Sequence, residues 1–245
     1  MLATAITAAR AAGETLRRTF GHVVKINEST PHDLKIQADL DAQAQITRII
    51  LEQFPDHKIL GEEGCSGNPN AEIEWVVDPI DGTLNFAYGM PHFCVSIAAR
   101  DRQKTLVGVI YDPMREELFS ASHDGEAELN CQPIFVSQRK DLKDCVFVIG
   151  FAKSQETISR GLKLYEFYAP KLKKLRMMGS AALDIAYVAS GRIDAYMEST
   201  IQIWDVAAGN LILQRAGGRV DLELNPDGQS YRIVAQSGHH QIALP

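Results

Sequence analysis

Apolar positions recur along this chain at two spacings, and the switches between them outline its elements. Leu2, Ile6, Ala9, Leu16 and Phe20 fall on one helical stripe, which predicts a docked first helix. Leu34, Ile36 and Ala38 then alternate with Lys35, Gln37 and Asp39, the period of a half-buried strand. Asp39 stands where an N-cap belongs, and Ile46, Ile49, Ile50 and Phe54 follow at helical spacing until Pro55 stops the run. A short strand at 58–60 leads into Gly61-Glu62-Glu63-Gly64, and a strand at 73–77 delivers Asp78-Pro79-Ile80-Asp81-Gly82-Thr83. Residues 93–99, 106–111 and 117–121 read as consecutive, largely antiparallel strands, with turns at Asp101-Arg102 and Asp112-Pro113.

From about residue 143 strands and helices alternate. Strands are predicted at 145–151, 193–198, 219–222 and 231–235, and helices at 155–168, 180–190 (closed by Gly191) and 205–215 (ending at Gly217-Gly218). The change of pattern divides the chain into residues 1–140, helices plus a largely antiparallel sheet, and residues 141–245, an α/β half. Without a linker between them, the two are expected to pack as one body.

Composition narrows the classes. With 245 residues, 45% hydrophobic and 23% charged, the chain can bury a sizeable core without a stapling disulfide or structural metal. A net charge of −6, from 25 basic and 31 acidic residues, is unlike a duplex binder. The one basic cluster, Lys171, Lys173, Lys174 and Arg176, is expected on a solvated face. Cys65, Cys94, Cys131 and Cys145 have no zinc-like spacing and suit reduced thiols. No apolar run approaches the roughly 18 residues of a membrane span, so a cytoplasmic protein is expected.

Chemistry concentrates in three segments where acids end strands or open helices: Glu62-Glu63, Asp78 with Asp81, and Asp205 after Trp204. Acids in loops ordinarily face water. These sit beside Trp75-Val76-Val77 and Val206-Ala207-Ala208, where little polar surface is available. Gathered there, they would repel by on the order of several kcal/mol per close pair at intermediate dielectric. No Lys or Arg within the motifs offsets them. All-oxygen ligands without His or Cys favour a hard cation, Mg²⁺ first with Mn²⁺ as substitute. Asp78 and Asp81 can hold two such ions. If Gly82 opens a short helix, its N–H groups would face a phosphate, with the Thr83 hydroxyl beside a water.

Glu62-Glu63, the segment Asp78-Pro79-Ile80-Asp81-Gly82-Thr83-Leu84-Asn85-Phe86, and Trp204-Asp205-Val206-Ala207-Ala208-Gly209 together resemble the inositol monophosphatase family. That family belongs to the lithium-sensitive, metal-dependent phosphatases that include fructose-1,6-bisphosphatases. The likeness runs from Ala12-Gly13-Glu14 to Ala216-Gly217-Gly218. It implies a layered αβαβα sandwich and a homodimer. It implies that Glu62, Asp78 and the Ile80 carbonyl bind one Mg²⁺, that Asp78, Asp81 and Asp205 bind a second, and that Glu62 helps hold a weaker third. Glu63 would orient ligands, while Asp39 with Thr83 would position and deprotonate the attacking water. Asp81, Gly82, Thr83, Gly179, Ser180, Ala181 and Glu198 would contact substrate, with Glu198 accepting from polyol hydroxyls.

Monoester hydrolysis requires a barrier reduction of roughly 20 kcal/mol or more. A single general base supplies about 10² to 10⁴-fold, so the metals would carry most of it. The expected substrate is inositol-1-phosphate or a similar small phosphorylated polyol, with histidinol-phosphate and fructose-1,6-bisphosphate as alternatives. A regulatory protein that binds RNA or transcription machinery is the reading from another class. Lys35 is expected to face solvent and His239-His240 to be a tail feature.

Overall fold

The structure, a computed structural model, describes every residue except 23, 24, 31, 32, 152, 153, 241 and 243–245; the side chains of 29, 30 and 33–35 are also outside the description, so the expectation for Lys35 falls there. In chain order, α1 (Leu2–Thr19) is followed by the ribbon β1 (Ile26–Thr30) and β2 (Asp33–Ile36), then α2 (Gln37–Gln53). Next come β3 (Lys58–Gly61), β4 (Gly64–Gly67), β5 (Glu74–Asp81) and the short α3 (Thr83–Ala87). Strands β6 (Cys94–Arg100), β7 (Thr105–Asp112), β8 (Glu117–Ser122), β9 (Glu128–Leu129) and β10 (Gln132–Pro133) complete the first sheet. The remainder is β11 (Val146–Ile149), α4 (Gln155–Tyr168), β12 (Lys174–Arg176), α5 (Ala181–Ala189), β13 (Ala195–Ile201), α6 (Ile203–Arg215), β14 (Arg219–Leu224) and β15 (Tyr231–Gln236).

Eight strands order as β10-β9-β8-β7-β6-β5-β3-β4 and five as β12-β11-β13-β15-β14. Helices α1 and α2 cover one face of the larger sheet, α5 and α6 lie between the sheets, and α4 covers the far side of the smaller one. This is the expected αβαβα layering. The first sheet departs from a purely antiparallel one, since β3 pairs with β5 in parallel.

Strand β5 is buried on both faces, which explains why it is a continuous apolar run. Its period of two distributes it between two cores: Trp75 and Val77 pack with α1 and α2, while Val76 packs with α5 and α6. Trp75 also donates its indole N–H to His57 Nδ1 at 3.0 Å, satisfying its one polar atom.

Some boundaries moved. The alternation expected through Ala38 ends at Ile36, because Gln37 already opens α2. Asp39 is therefore the third helical residue, not the N-cap, and its carboxylate reaches back to accept the Ile36 N–H at 3.2 Å. Helix α4 starts at Gln155 because Ser154 Oγ accepts the Thr157 N–H at 3.1 Å. Lys171, Lys173, Lys174 and Arg176 are all exposed as expected, although two of them bound the edge strand β12. His240 lies against the Phe147 ring, with Nε2 3.2 Å from Cys145 Sγ.

Candidate active site

Asp78 and Asp81 are three residues apart on a strand, so a regular pleat would send them to opposite faces. A bulge prevents this. Asp78 pairs with Ser96 and Asp81 with Cys94, so Pro79 and Ile80 together face the single residue Val95. Proline cannot donate to the ladder, and an inserted residue flips the alternation. Both carboxylates therefore point to the face that carries α5 and α6. There they meet Asp205 from the first turn of α6, and oxygens of Asp78, Asp81 and Asp205 lie within 4.8 Å of one another. A hydrogen bond links the carboxyls of Glu62 and Asp78, which brings the turn between β3 and β4 to the same point.

Backbone N–H groups at element junctions hold these acids. Asp78 Oδ1 accepts the Ile80 N–H at 3.0 Å, and Asp205 Oδ2 accepts the Gln202 N–H at 2.9 Å. Asp81 is held most firmly. Its Oδ2 accepts Ser180 Oγ–H and the Ala182 N–H, both at 2.6 Å, and Oδ1 accepts the Ala181 N–H at 3.2 Å. The segment Gly179-Ser180-Ala181 thus lies against Asp81, at the N-terminus of α5. These donors supply part of the compensation that the motifs lack in Lys and Arg.

Even so, the cluster is over-charged. Burial, then repulsion from Glu62, Asp81 and Asp205, pushes the Asp78 carboxyl well above the ordinary range. Burial and the neighbouring acids do the same to Asp205. Asp81 is raised by burial but pulled back by its three hydrogen bonds. Among the described ion pairs, Lys and Arg serve other acids. Oxygen ligands of this kind, buried and crowded, fit a hard divalent cation.

Thr83 Oγ1 donates to the Ile80 carbonyl at 3.0 Å and lies 3.4 Å from Asp39 Oδ1. Burial raises Asp39 to about 8. Gly82 caps α3 at φ +99°, a left-handed conformation that favours glycine. The five residues of α3 are too few for a sizeable helix dipole, so an anion there would meet individual N–H groups. On β13, Tyr196 donates its hydroxyl to Glu198 Oε2, and a register shift between Glu198 and Ile201 lies beside this pair.

Asn85, part of the motif after Asp81, donates its Nδ2 to the carbonyls of His92 at 2.7 Å and Met178 at 2.9 Å, tying α3 to the segment before Ser180. Two neighbours of the site, His92 with Asp184 and Cys94, carried no local sequence signal. His92 Nε2 lies 3.2 Å from buried Asp184, whose carboxyl burial raises to about 7. Cys94 Sγ lies 3.7 Å from Asp81 Oδ2.

The chain belongs to the inositol monophosphatase family, whose profile matches residues 1–243. Family membership, with a phosphatase-type fold and an acidic cluster able to hold metal, supports a phosphatase activity. A Pasteurella multocida chain named Nus factor SuhB is 39% identical over 249 residues, covering 100% of this chain and 91% of that one. The crystal structure of extragenic suppressor protein suhB from Bartonella henselae matches with a TM-score of 0.90 at 35% identity, over 96% of this chain and 93% of that one. An inositol monophosphatase from Anabaena matches with a TM-score of 0.84 at 38% identity, over 97% and 90%.

Proposed function

We propose that the chain is a Mg²⁺-dependent phosphomonoesterase acting on inositol-1-phosphate or a similar small phosphorylated polyol. The observation that carries this reading is the convergence of Asp78, Asp81 and Asp205 in a buried site. Glu62, Asp78 and the Ile80 carbonyl would hold one cation, and Asp78, Asp81 and Asp205 another. Bound there, Mg²⁺ would neutralise phosphoryl oxygens and make water a better nucleophile. Thr83 holds the attacking water with its hydroxyl, and Asp39 is the acceptor for the proton. Asp39 is held by the Ile36 N–H at 3.2 Å and lies 3.4 Å from Thr83 Oγ1, within reach of a water that the hydroxyl holds. Glu63 would steady the turn that carries Glu62, and the Gly82 and Thr83 N–H groups would face the phosphate. Glu198, held by Tyr196, would accept hydroxyls of the alcohol, with Gly179, Ser180 and Ala181 as further substrate contacts. The likeness to an inositol monophosphatase supports this choice of alcohol over histidinol-phosphate or fructose-1,6-bisphosphate.

The test is phosphate release from these three substrates at equal Mg²⁺. The highest kcat/KM is expected with inositol-1-phosphate. A clear preference for another substrate would reassign the alcohol pocket, and no release from any would remove the enzymatic reading.

The likeness to chains named Nus factor SuhB favours a second, separable reading: a regulatory protein that engages RNA or the transcription machinery. A pull-down with Asp81→Asn separates the roles. A binding role survives that substitution, whereas capture that depends on Asp81 would tie the partner to the acidic site.

A further inference from the structure

Helix α2 carries two buried polar side chains four residues apart, Asp39 and Gln43, and such a spacing places them on one face. Asp39 faces Thr83. Gln43, 7% exposed, serves a different part of the site. Its Oε1 accepts the Glu63 N–H at 3.0 Å, and its Nε2 donates to the Gly64 carbonyl at 3.1 Å. Both ends of the amide are thus used on one tight turn, the turn that links β3 to β4 and presents Glu62. On the opposite side, the Glu62 N–H donates to the Val77 carbonyl of β5 at 3.1 Å. The backbone around Glu62 is therefore gripped by β5 on one side and by α2 on the other.

The fit is close. A Cβ on Gly61 would lie 2.2 Å from Gln43 Oε1, so the amide reaches the turn only because residue 61 has no side chain. The far strand of the hairpin, β4, is the edge of the sheet and is largely exposed. Its ladder to β3 closes the turn at Gly61 and Gly64, and the buried two-ended amide of Gln43 ties that turn to α2.

We propose that Gln43 is a positioning residue for cation binding: by clamping the turn it aims Glu62 at Asp78 and so sets the affinity of the acidic cluster for Mg²⁺. The inference rests on the metal-dependent reading above. It also couples the two ends of the site through one rigid helix, since α2 supplies both the proton acceptor and the clamp.

The experiment is the Mg²⁺ concentration that gives half-maximal thermal stabilisation, measured without substrate for wild type, Gln43→Met and Gln43→Glu. Met keeps the length and loses both hydrogen bonds. Glu keeps the acceptor and loses the donor, and serves if the Met variant does not fold. Partners that orient a ligand typically change metal affinity by about 10- to 100-fold, so a rise of about tenfold or more is expected for Met and a smaller one for Glu. The same Met substitution made in a Glu62→Gln background should add little further shift, because the group being aimed is already gone. A lower melting temperature with an unchanged Mg²⁺ midpoint, or an equal shift in both backgrounds, would overturn the proposal and leave Gln43 a purely structural residue. If wild type itself shows no Mg²⁺-dependent stabilisation, the metal-dependent reading fails and takes this inference with it; that result is distinct from a wild-type response that Gln43→Met leaves unaltered.

Discussion

In the protein without a cation, burial raises Asp39 to about 8 and Asp184 to about 7, and pushes Asp78 and Asp205 well above the ordinary carboxylate range. Unfolded, such groups titrate near about 4. The folded state therefore binds more protons between about pH 4 and the folded values. The stability contributed by these acids is complete below about pH 4 and is lost as pH rises through about 7 and about 8. With chelator present, the melting temperature should fall over that window, each titrating group contributing on the order of 1 kcal/mol per pH unit. Mg²⁺ should restore more stability at pH 8 than at pH 5, because it competes with protons for the same oxygens. A chelated protein as stable at pH 8 as at pH 5 would contradict the crowding of the cluster. Tyr196 tests the alcohol pocket at the same scale. Tyr196→Phe removes a hydrogen bond to Glu198 and should raise KM for a polyol phosphate severalfold, with a smaller effect on p-nitrophenyl phosphate, which lacks those hydroxyls. Equal effects on both substrates would detach Glu198 from recognition of the alcohol.

Elements place the acids, and here the sequence was informative to different depths. Helix α4 was legible to its ends from helical spacing, a local feature. The strand ahead of α2 ends earlier than its alternation predicts, because Asp39 satisfies the Ile36 N–H from inside the helix and alternation does not register that contact. The edge strands β4 and β12 and the ribbon strand β1 were missed. The first two are too short for a period to develop, and edge strands need no apolar alternation. In the site, Glu62, Asp78, Asp81 and Asp205 were legible because strand ends and glycine turns mark them. Ser180 entered only as a substrate contact by resemblance; its hold on Asp81 spans 99 residues and has no local trace. That contact gives a prediction for α5. Ser180→Ala should cost about 1 kcal/mol, a drop of about 2–4 °C in melting temperature, and should raise the Mg²⁺ requirement by about tenfold or more through the loosened Asp81. Calorimetry and a Mg²⁺ titration of the variant check this. An unchanged Mg²⁺ requirement would show that the backbone N–H groups of α5 hold Asp81 without the hydroxyl.

At the scale of the molecule, the layering follows from two-sided burial. The strands β5, β6 and β7 divide their side chains between a core with α1 and α2 and a core with α5 and α6. The second core also takes in Tyr196, Ile233 and Ala235 of the smaller sheet, so it draws on both sheets. A single cooperative unfolding transition is expected, with intrinsic fluorescence and far-ultraviolet circular dichroism coincident in denaturant. Two separated transitions would show that residues 1–140 and 141–245 melt independently. The bulge at Pro79-Ile80 lies where these two cores meet, and it turns Asp78 and Asp81 toward Asp205. As proposed, this convergence is a cation site for phosphate monoester hydrolysis. It is tested most directly by the initial rate of phosphate release from inositol-1-phosphate as a function of Mg²⁺, for wild type and Asp205→Asn. Wild type should release phosphate saturably with Mg²⁺, and Asp205→Asn should lose at least about 10²-fold at any Mg²⁺ concentration. Release that is independent of Mg²⁺, or that survives Asp205→Asn undiminished, would contradict it.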